Sequence, residues 1–338
     1  MGGALRRRDG AAEVAWRLSG VAAAAVPTLC LAVLAVLAVE AWPSVLRNGL
    51  SFFWRARWRP GDLRAPADAL AHGLRVPAGV VFGVLPYVAG TAVSAGLALI
   101  IALPIGVGVA IVLADRASGR LGVGLDFLID LVAGVPSVVF GLWGLVVVVP
   151  WIAHGAGPPL ARLSGFIPWL RGPVLSGTGL LASVVVLAAM VVPLVAALSR
   201  DAIARVPQAL REQGRALGLT EWEILRGLVL PAAAPAIAGG AMLALGRALG
   251  EAIAVLMVSG RGIALPTSIF SPISTMASAL LADLGSALHD PQGMAVHALA
   301  ELAMVLLMIS VLVHLAARLA DRGVSRVRAV FAPRGRGL

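Results

Sequence analysis

The chain has 338 residues, of which 59% are hydrophobic and 13% charged, with a mean hydropathy of +0.95. Soluble domains carry roughly 25% charged residues, so this composition excludes a water-soluble globular protein. The net charge of +10 comes from arginine alone; without a lysine there is neither a nucleotide-loop phosphate ligand nor a Schiff-base amine, which excludes an ATPase.

Apolar runs long enough to cross the hydrocarbon layer, about 20 residues each, predict six membrane helices at 19–41, 86–114, 124–152, 178–199, 233–259 and 295–317. The fold class expected is an all-α, polytopic integral membrane protein. Arg6, Arg7 and Arg8 precede the first run, as in a signal peptide. Its uncharged stretch from Leu18 to Val39 is longer than a signal core and no A-x-A site follows, so it reads as an uncleaved span. Its one cysteine, Cys30, lies in that run, so no disulfide forms within the chain. In the loop 42–85, the sequence from Phe52 to Arg59 reads as an amphipathic segment on the membrane surface. Trp42 and Trp151 fall at span ends, where an aromatic belt belongs.

Pro104, Pro136, Pro150 and Pro193 are expected to kink or end their helices. Gly134-Val135-Pro136-Ser137 is the break with functional promise, because freed backbone groups beside the Ser137 hydroxyl would face the bundle interior. Asp126 and Asp130, the only close carboxylates placed in spans, lie near a span's start, where acids suit a helix N-terminus. The stretch 262–282 is uncharged but rich in Ser, Thr and Pro, and reads as external or re-entrant. With a cytoplasmic N-terminus, inner segments hold 17 arginines and outer segments nine, six of them in the loop 42–85. The positive-inside rule therefore places both termini in the cytoplasm.

Between the fourth and fifth runs stands Glu212, five residues, Gly218, eleven residues, then Leu230-Pro231. Gln208 to Leu217 is expected to form a short amphipathic helix presenting Glu212, with a turn at Gly218 where a side chain would be resisted. Leu219 to Leu230 form a second helix with Trp222 as apolar anchor, and Pro231 opens the next. Beyond it, Gly246-Arg247-Ala248-Leu249-Gly250-Glu251 puts an arginine and a glutamate four residues apart inside a span. Such spacing shares one helix face. A lone arginine near the midplane costs roughly 3 kcal/mol or more, so it should face a pore and find a partner, with Glu251 the nearest. Glu301 is read first as a packing residue, and His297 four residues before it does not make a metal site. No nucleophile–base constellation supports an enzyme.

These residues resemble the PstC-type phosphate permeases of the ABC-importer family. The likeness spans residues 80–317. It rests on the E-x5-G-x11-LP loop, on Phe82-Gly83-Val84-Leu85-Pro86-Tyr87 with Gly90-Thr91, on Leu131 to Gly144, and on Leu245 to Glu251. The loop departs from the family's Glu-Ala-Ala, reading Glu212-Gln213-Gly214, and Ala252 stands where threonine is common. The resemblance implies a type I importer-permease fold with a cytoplasmic EAA coupling loop made by Glu212, Gly218, Trp222, Leu230 and Pro231. It also implies a translocation pathway bearing Arg247, Glu251, Pro136 and Ser137, where passing phosphate competes for the guanidinium. The implied partners are a sister permease (PstA type), two copies of an ATPase (PstB type), a phosphate-binding protein outside the membrane (PstS type) and membrane lipids, with no nucleic acid. The implied chain needs no cofactor of its own, since the partner uses the ATP. Organisation follows as 1–79 (cytoplasmic segment, first span, outer loop), 80–320 (permease core) and 321–338 (Arg-rich tail). Sulfate and molybdate permeases share loop and fold, and a passive anion channel or a phosphate-signalling subunit remain alternatives separated by ATP dependence.

Orientation is directly testable. With Cys30 replaced by alanine, a cysteine near Arg226 is expected to resist an impermeant thiol reagent added outside, while one near Gly155 is labelled. The reverse labelling pattern would overturn the topology.

Overall fold

In hydrocarbon every backbone N–H and C=O must be satisfied within the chain, which makes an apolar run helical. The computed structural model describes residues 2–60, 69–71, 74–76, 79–115, 120–174, 176–290 and 292–331. Parts of the loop 42–85 and residues 332–338 of the tail lie outside them. Among the described residues six helices are long and apolar enough to span: Ser19–Asn48, Leu85–Ala114, Ser137–Gly165, Leu180–Ala204, Glu221–Leu249 and Met294–Ala316. Four match the expected runs closely. The uncharged stretch after residue 262 forms a loop and then a helix, Met276–Ala287, whose 12 residues are too few to cross.

Two spans depart from expectation. The third does not begin near residue 124. A separate helix, Arg120–Ala133, comes first, and Pro136 (φ −57°, ψ 139°) starts the spanning helix at Ser137. Proline forces its predecessor out of the helical region and cannot donate the next bond, so the chain breaks there. The fifth span begins twelve residues early, at Glu221, and stops at Leu249 rather than 259. A short helix, Ile253–Val258, follows the break. The expected all-α character also gains one exception, an antiparallel hairpin pairing Ala69–Ala71 with Leu74–Val76.

The second, fourth and fifth spans form the centre. Ala95, Ala98 and Ala102 of the second pack against Leu187, Val191 and Val195 of the fourth and Ala244 and Ala248 of the fifth. Small residues bring these backbones close, as membrane helix packing requires. Pro104 and Pro193 lie inside unbroken helices, whereas Pro150 separates two π-helical stretches, Gly144–Val148 and Trp151–Ala156.

The first span joins this centre through its last turns. Glu301 of the sixth span is buried, and its Oε2 accepts a 2.6 Å hydrogen bond from Ser44, whose Oγ accepts in turn from Asn48 at 3.0 Å. His297 Nδ1 donates to the Glu40 carbonyl at 2.7 Å. Glu301 is therefore a fastening residue. The segment after the first span, expected to lie on the membrane surface, is in part drawn into the core. Only Ser51–Trp54 is helical, and Phe52 and Trp58 turn inward while Trp54 stays exposed. Trp58 stacks edge-on against Phe82 at 4.8 Å and Tyr87 at 5.2 Å, and Arg59 pairs by backbone with Val81.

Gly90 and Thr91 hold the helix Met276–Ala287 to the second span. A methyl group at Gly90 would collide with the Ser274 carbonyl, and Thr91 Oγ1 accepts from the Met276 N–H at 2.9 Å. Gly90→Ala is expected to destabilise the protein by about 1–3 kcal/mol through overpacking against rigid backbone. Thr91→Val orphans a buried N–H and should cost a similar amount, about 1–3 kcal/mol. Both should lower the midpoint of thermal unfolding of the purified protein. Gly96→Ala, in the same helix but with open space around the added methyl group, should not.

Candidate functional site

The segment between the fourth and fifth spans folds as a compact projection. Pro207 opens the helix Gln208–Ala216, and Gly218, at φ +78°, makes the turn that a side chain would strain. Glu212 lies on the exposed face of that helix. Gly214 is buried against Ile224 and Leu228; a Cβ there would sit 2.7 Å from Ile224. The departure from alanine at this position thus meets its own larger neighbours. Arg215 bridges Glu221 through Nε–Oε1 at 2.7 Å and a second bond at 3.2 Å, clipping the two helices together.

The second helix is not a separate element ending at Leu230. Thr220 caps it, accepting from the Glu223 N–H at 3.3 Å while Glu223 accepts from the Thr220 N–H at 2.8 Å. The T-x-x-E spacing of this box is the sequence signal that marks the helix start. From Glu221 the helix runs on through a π-helical stretch, Leu225–Val229, into the fifth span. Pro231 lacks the N–H that would bond back to residue 227. The widened turn just before it absorbs that loss, so the helix continues instead of restarting. Leu230 is half-buried, Pro231 is exposed, and Trp222 projects with 62% of its surface free. Trp222 lines a cavity of about 740 Å³ with Ile111, Val112, Gln208, Arg211 and Leu225. The projection is thus a knob beside a hollow.

Asp126 and Asp130 do not start a helix as expected; they lie in the middle and last turn of Arg120–Ala133. Arg200 of the fourth span reaches Asp126 at 2.9 Å, Asp130 at 3.9 Å and Asp201 at 3.4 Å, tying the helix Arg120–Ala133 to that span. Asp126 and Arg200 lie 74 residues apart in sequence, where spacing gives no cue.

The expected Arg247–Glu251 pair is absent. The helix ends at Leu249, so residue 251 leaves the face that residue 247 occupies. Glu251 Oε1 instead accepts the Ala254 N–H at 3.1 Å, capping the helix Ile253–Val258. Arg247 has no hydrogen-bond or ion-pair partner among the described residues, and it is exposed in the isolated chain. Ala236, Leu243, Arg247 and Gly250 share one face of the fifth span, and all four are exposed. Pro136 and Ser137 lie close in level to this break. Gly141 packs on Ala254 and Met257, and Gly144 on Val258, so the two helices run side by side in one direction. One turn earlier, Ser137 is level with the break at 250–252. The structure thus aligns two helix interruptions, the second of which begins three residues after Arg247.

The model of the family described as "Binding-protein-dependent transport system inner membrane component" matches residues 102–326. The chain is 40% identical over 337 residues to "Phosphate transport system permease protein PstC 1" of Mycobacterium tuberculosis, covering 97% of this chain and 98% of that one. The Mycobacterium bovis protein of the same name matches equally. "Phosphate transport system permease protein PstC" of Haemophilus influenzae is 34% identical, with 86% of this chain and 87% of that one covered. With six spans, a knob at the expected loop and relatives along nearly its whole length, this chain belongs to the family of inner membrane components of binding-protein-dependent transport systems.

Proposed function

We propose that this chain is the permease subunit of an ATP-driven importer of inorganic phosphate and forms half of the translocation pathway. The observation that carries the reading is Arg247, a guanidinium with no partner among the described residues, on an exposed face of a membrane helix three residues before that helix breaks. A guanidinium presents its donors in a planar fork that fits an oxyanion two-pronged. Leaving such a group without a carboxylate in a membrane is costly unless an anion or water meets it there. The relatives named for phosphate transport point to phosphate as that anion.

In this reading Arg247 binds the passing anion, Ser137 offers a hydroxyl from the neighbouring break, and Glu251 holds the break's shape by capping. The face of Ala236, Leu243, Arg247 and Gly250 is completed by a sister permease of PstA type. The knob of Glu212, Gly218 and Trp222, with Leu230 and Pro231 leading into the span, docks on two PstB-type ATPases. A PstS-type binding protein delivers phosphate at the opposite end. The subunit sits in the bacterial inner membrane with both termini cytoplasmic, contacts lipids and no nucleic acid, and breaks no covalent bond. It takes no cofactor, since ATP binding and hydrolysis in the partner drive the alternation of access.

Two outcomes test this. In vesicles carrying the whole assembly, Arg247→Gln should lower phosphate uptake by about ten- to a hundredfold, the worth of a charge-assisted contact, while basal ATP hydrolysis persists. Uptake at the unmodified rate would refute the pathway assignment. Gly218→Val forces a β-branched residue into the left-handed region, costing roughly 1–2 kcal/mol locally. It should therefore abolish ATP-coupled uptake with the permease still inserted; normal ATPase association and normal uptake would remove the docking role.

A further inference from the structure

A second basic site lies on the same face of the fifth span, nearer its knob end. A cavity of about 400 Å³ opens between the fourth, fifth and sixth spans, lined among others by Asp201, Arg205, Gly240, Leu243, His314 and Arg318. Leu243 is one turn from Arg247, about 6 Å along the helix. The imidazole of His314, which lines the cavity, packs on the fifth span: a Cβ on Gly246 would sit 2.5 Å from His314 Cε1 and 3.1 Å from Nε2. That ring is fixed, because Nδ1 donates to the Ser310 carbonyl at 2.8 Å.

Charge in the cavity is unbalanced. The guanidinium groups of Arg205 and Arg318 have no hydrogen-bond or ion-pair partner among the described residues. Asp201, the carboxylate lining it, is already engaged by Arg200 at 3.4 Å. Two guanidinium groups thus approach one hollow from two helices, where self-repulsion is relieved by an anion with several acceptor oxygens. Arg205 directly follows the fourth span's end at Ala204, and Arg318 lies two residues past the sixth span's end at Ala316, so both arginines stand at the knob-side ends of their spans.

We propose that this cavity binds a phosphate-type oxyanion held by Arg205 and Arg318, one step beyond Arg247 toward the knob end. The proposal deepens the import reading, making the cavity the station from which phosphate leaves. The same chemistry is offered by free orthophosphate and by the phosphodiester of an anionic lipid, and the experiment separates them.

The membrane complex, permeases with ATPases and without the binding protein, would be purified and placed in phosphatidylcholine nanodiscs. Radiolabelled orthophosphate binding is measured without nucleotide in an Arg247→Gln background, so that the cavity is read alone. Adding Arg205→Gln and Arg318→Gln should weaken that binding at least tenfold, and Arg205→Lys with Arg318→Lys should restore most of it. In nanodiscs containing phosphatidylglycerol, a lipid occupant would survive delipidation as bound mass in native mass spectrometry. It would be lost in the double glutamine variant, with orthophosphate binding unaltered. Either result supports the oxyanion site and names its source. If neither orthophosphate binding nor lipid retention differs between the arginine, lysine and glutamine forms, the proposal is overturned. Phosphate uptake by the unmodified complex with its binding protein is followed in parallel. Loss of that uptake would sink the import reading, whereas uptake combined with indifferent arginines would sink this site alone.

Discussion

The rest of the structure depends on one constraint: within a bilayer, no backbone polar group and no charge can be left without a partner. The chain meets it by confining irregular backbone to a few places. The break at 134–136 sits beside the one at 250–252, and Glu251 supplies the acceptor that the new helix start needs. Carboxylates are treated likewise. Glu301 is closed off by Ser44 and Asn48, and Asp126 by Arg200. Arg247 is an intramembrane charge that has no such partner among the described residues, which is why the proposed pathway is centred on it.

Much of this was legible in the sequence because membrane spans are written in composition over long windows. The number of spans, the knob with its Gly218 turn and the break at Pro136-Ser137 all follow from local residues. What escaped was set by distance or by competition. The Arg200–Asp126 clasp joins residues far apart in the chain. Trp58 reads as interfacial until Phe82 and Tyr87 are brought to it. Arg247 and Glu251 have the spacing of a pair, but Gly250 ends the helix before that spacing can act. The apolar run resumes at Ala252 and continues to Val258, so hydropathy averaged over a long window cannot register where the backbone turns.

Pro231 taught the converse lesson. Read alone, it marks the start of a helix, and the family spacing reinforces that reading. The five π-helical residues ahead of it change its meaning, because a wider turn has no donor to ask of the proline. The loop and the span are thereby one piece of secondary structure, and the capping box at Thr220 fixes where that piece begins.

This continuity has a mechanical consequence. From Trp222 to Arg247 the helix is about 38 Å long at 1.5 Å per residue, so a tilt of about 5° pivoting at the tryptophan end swings the guanidinium by roughly 3 Å. A shift of that size is the difference between a hydrogen bond made and one broken. In the proposed import cycle, a rod of this length would act as an amplifier, turning a small angular change at the knob into a displacement large enough to release the anion proposed at Arg247.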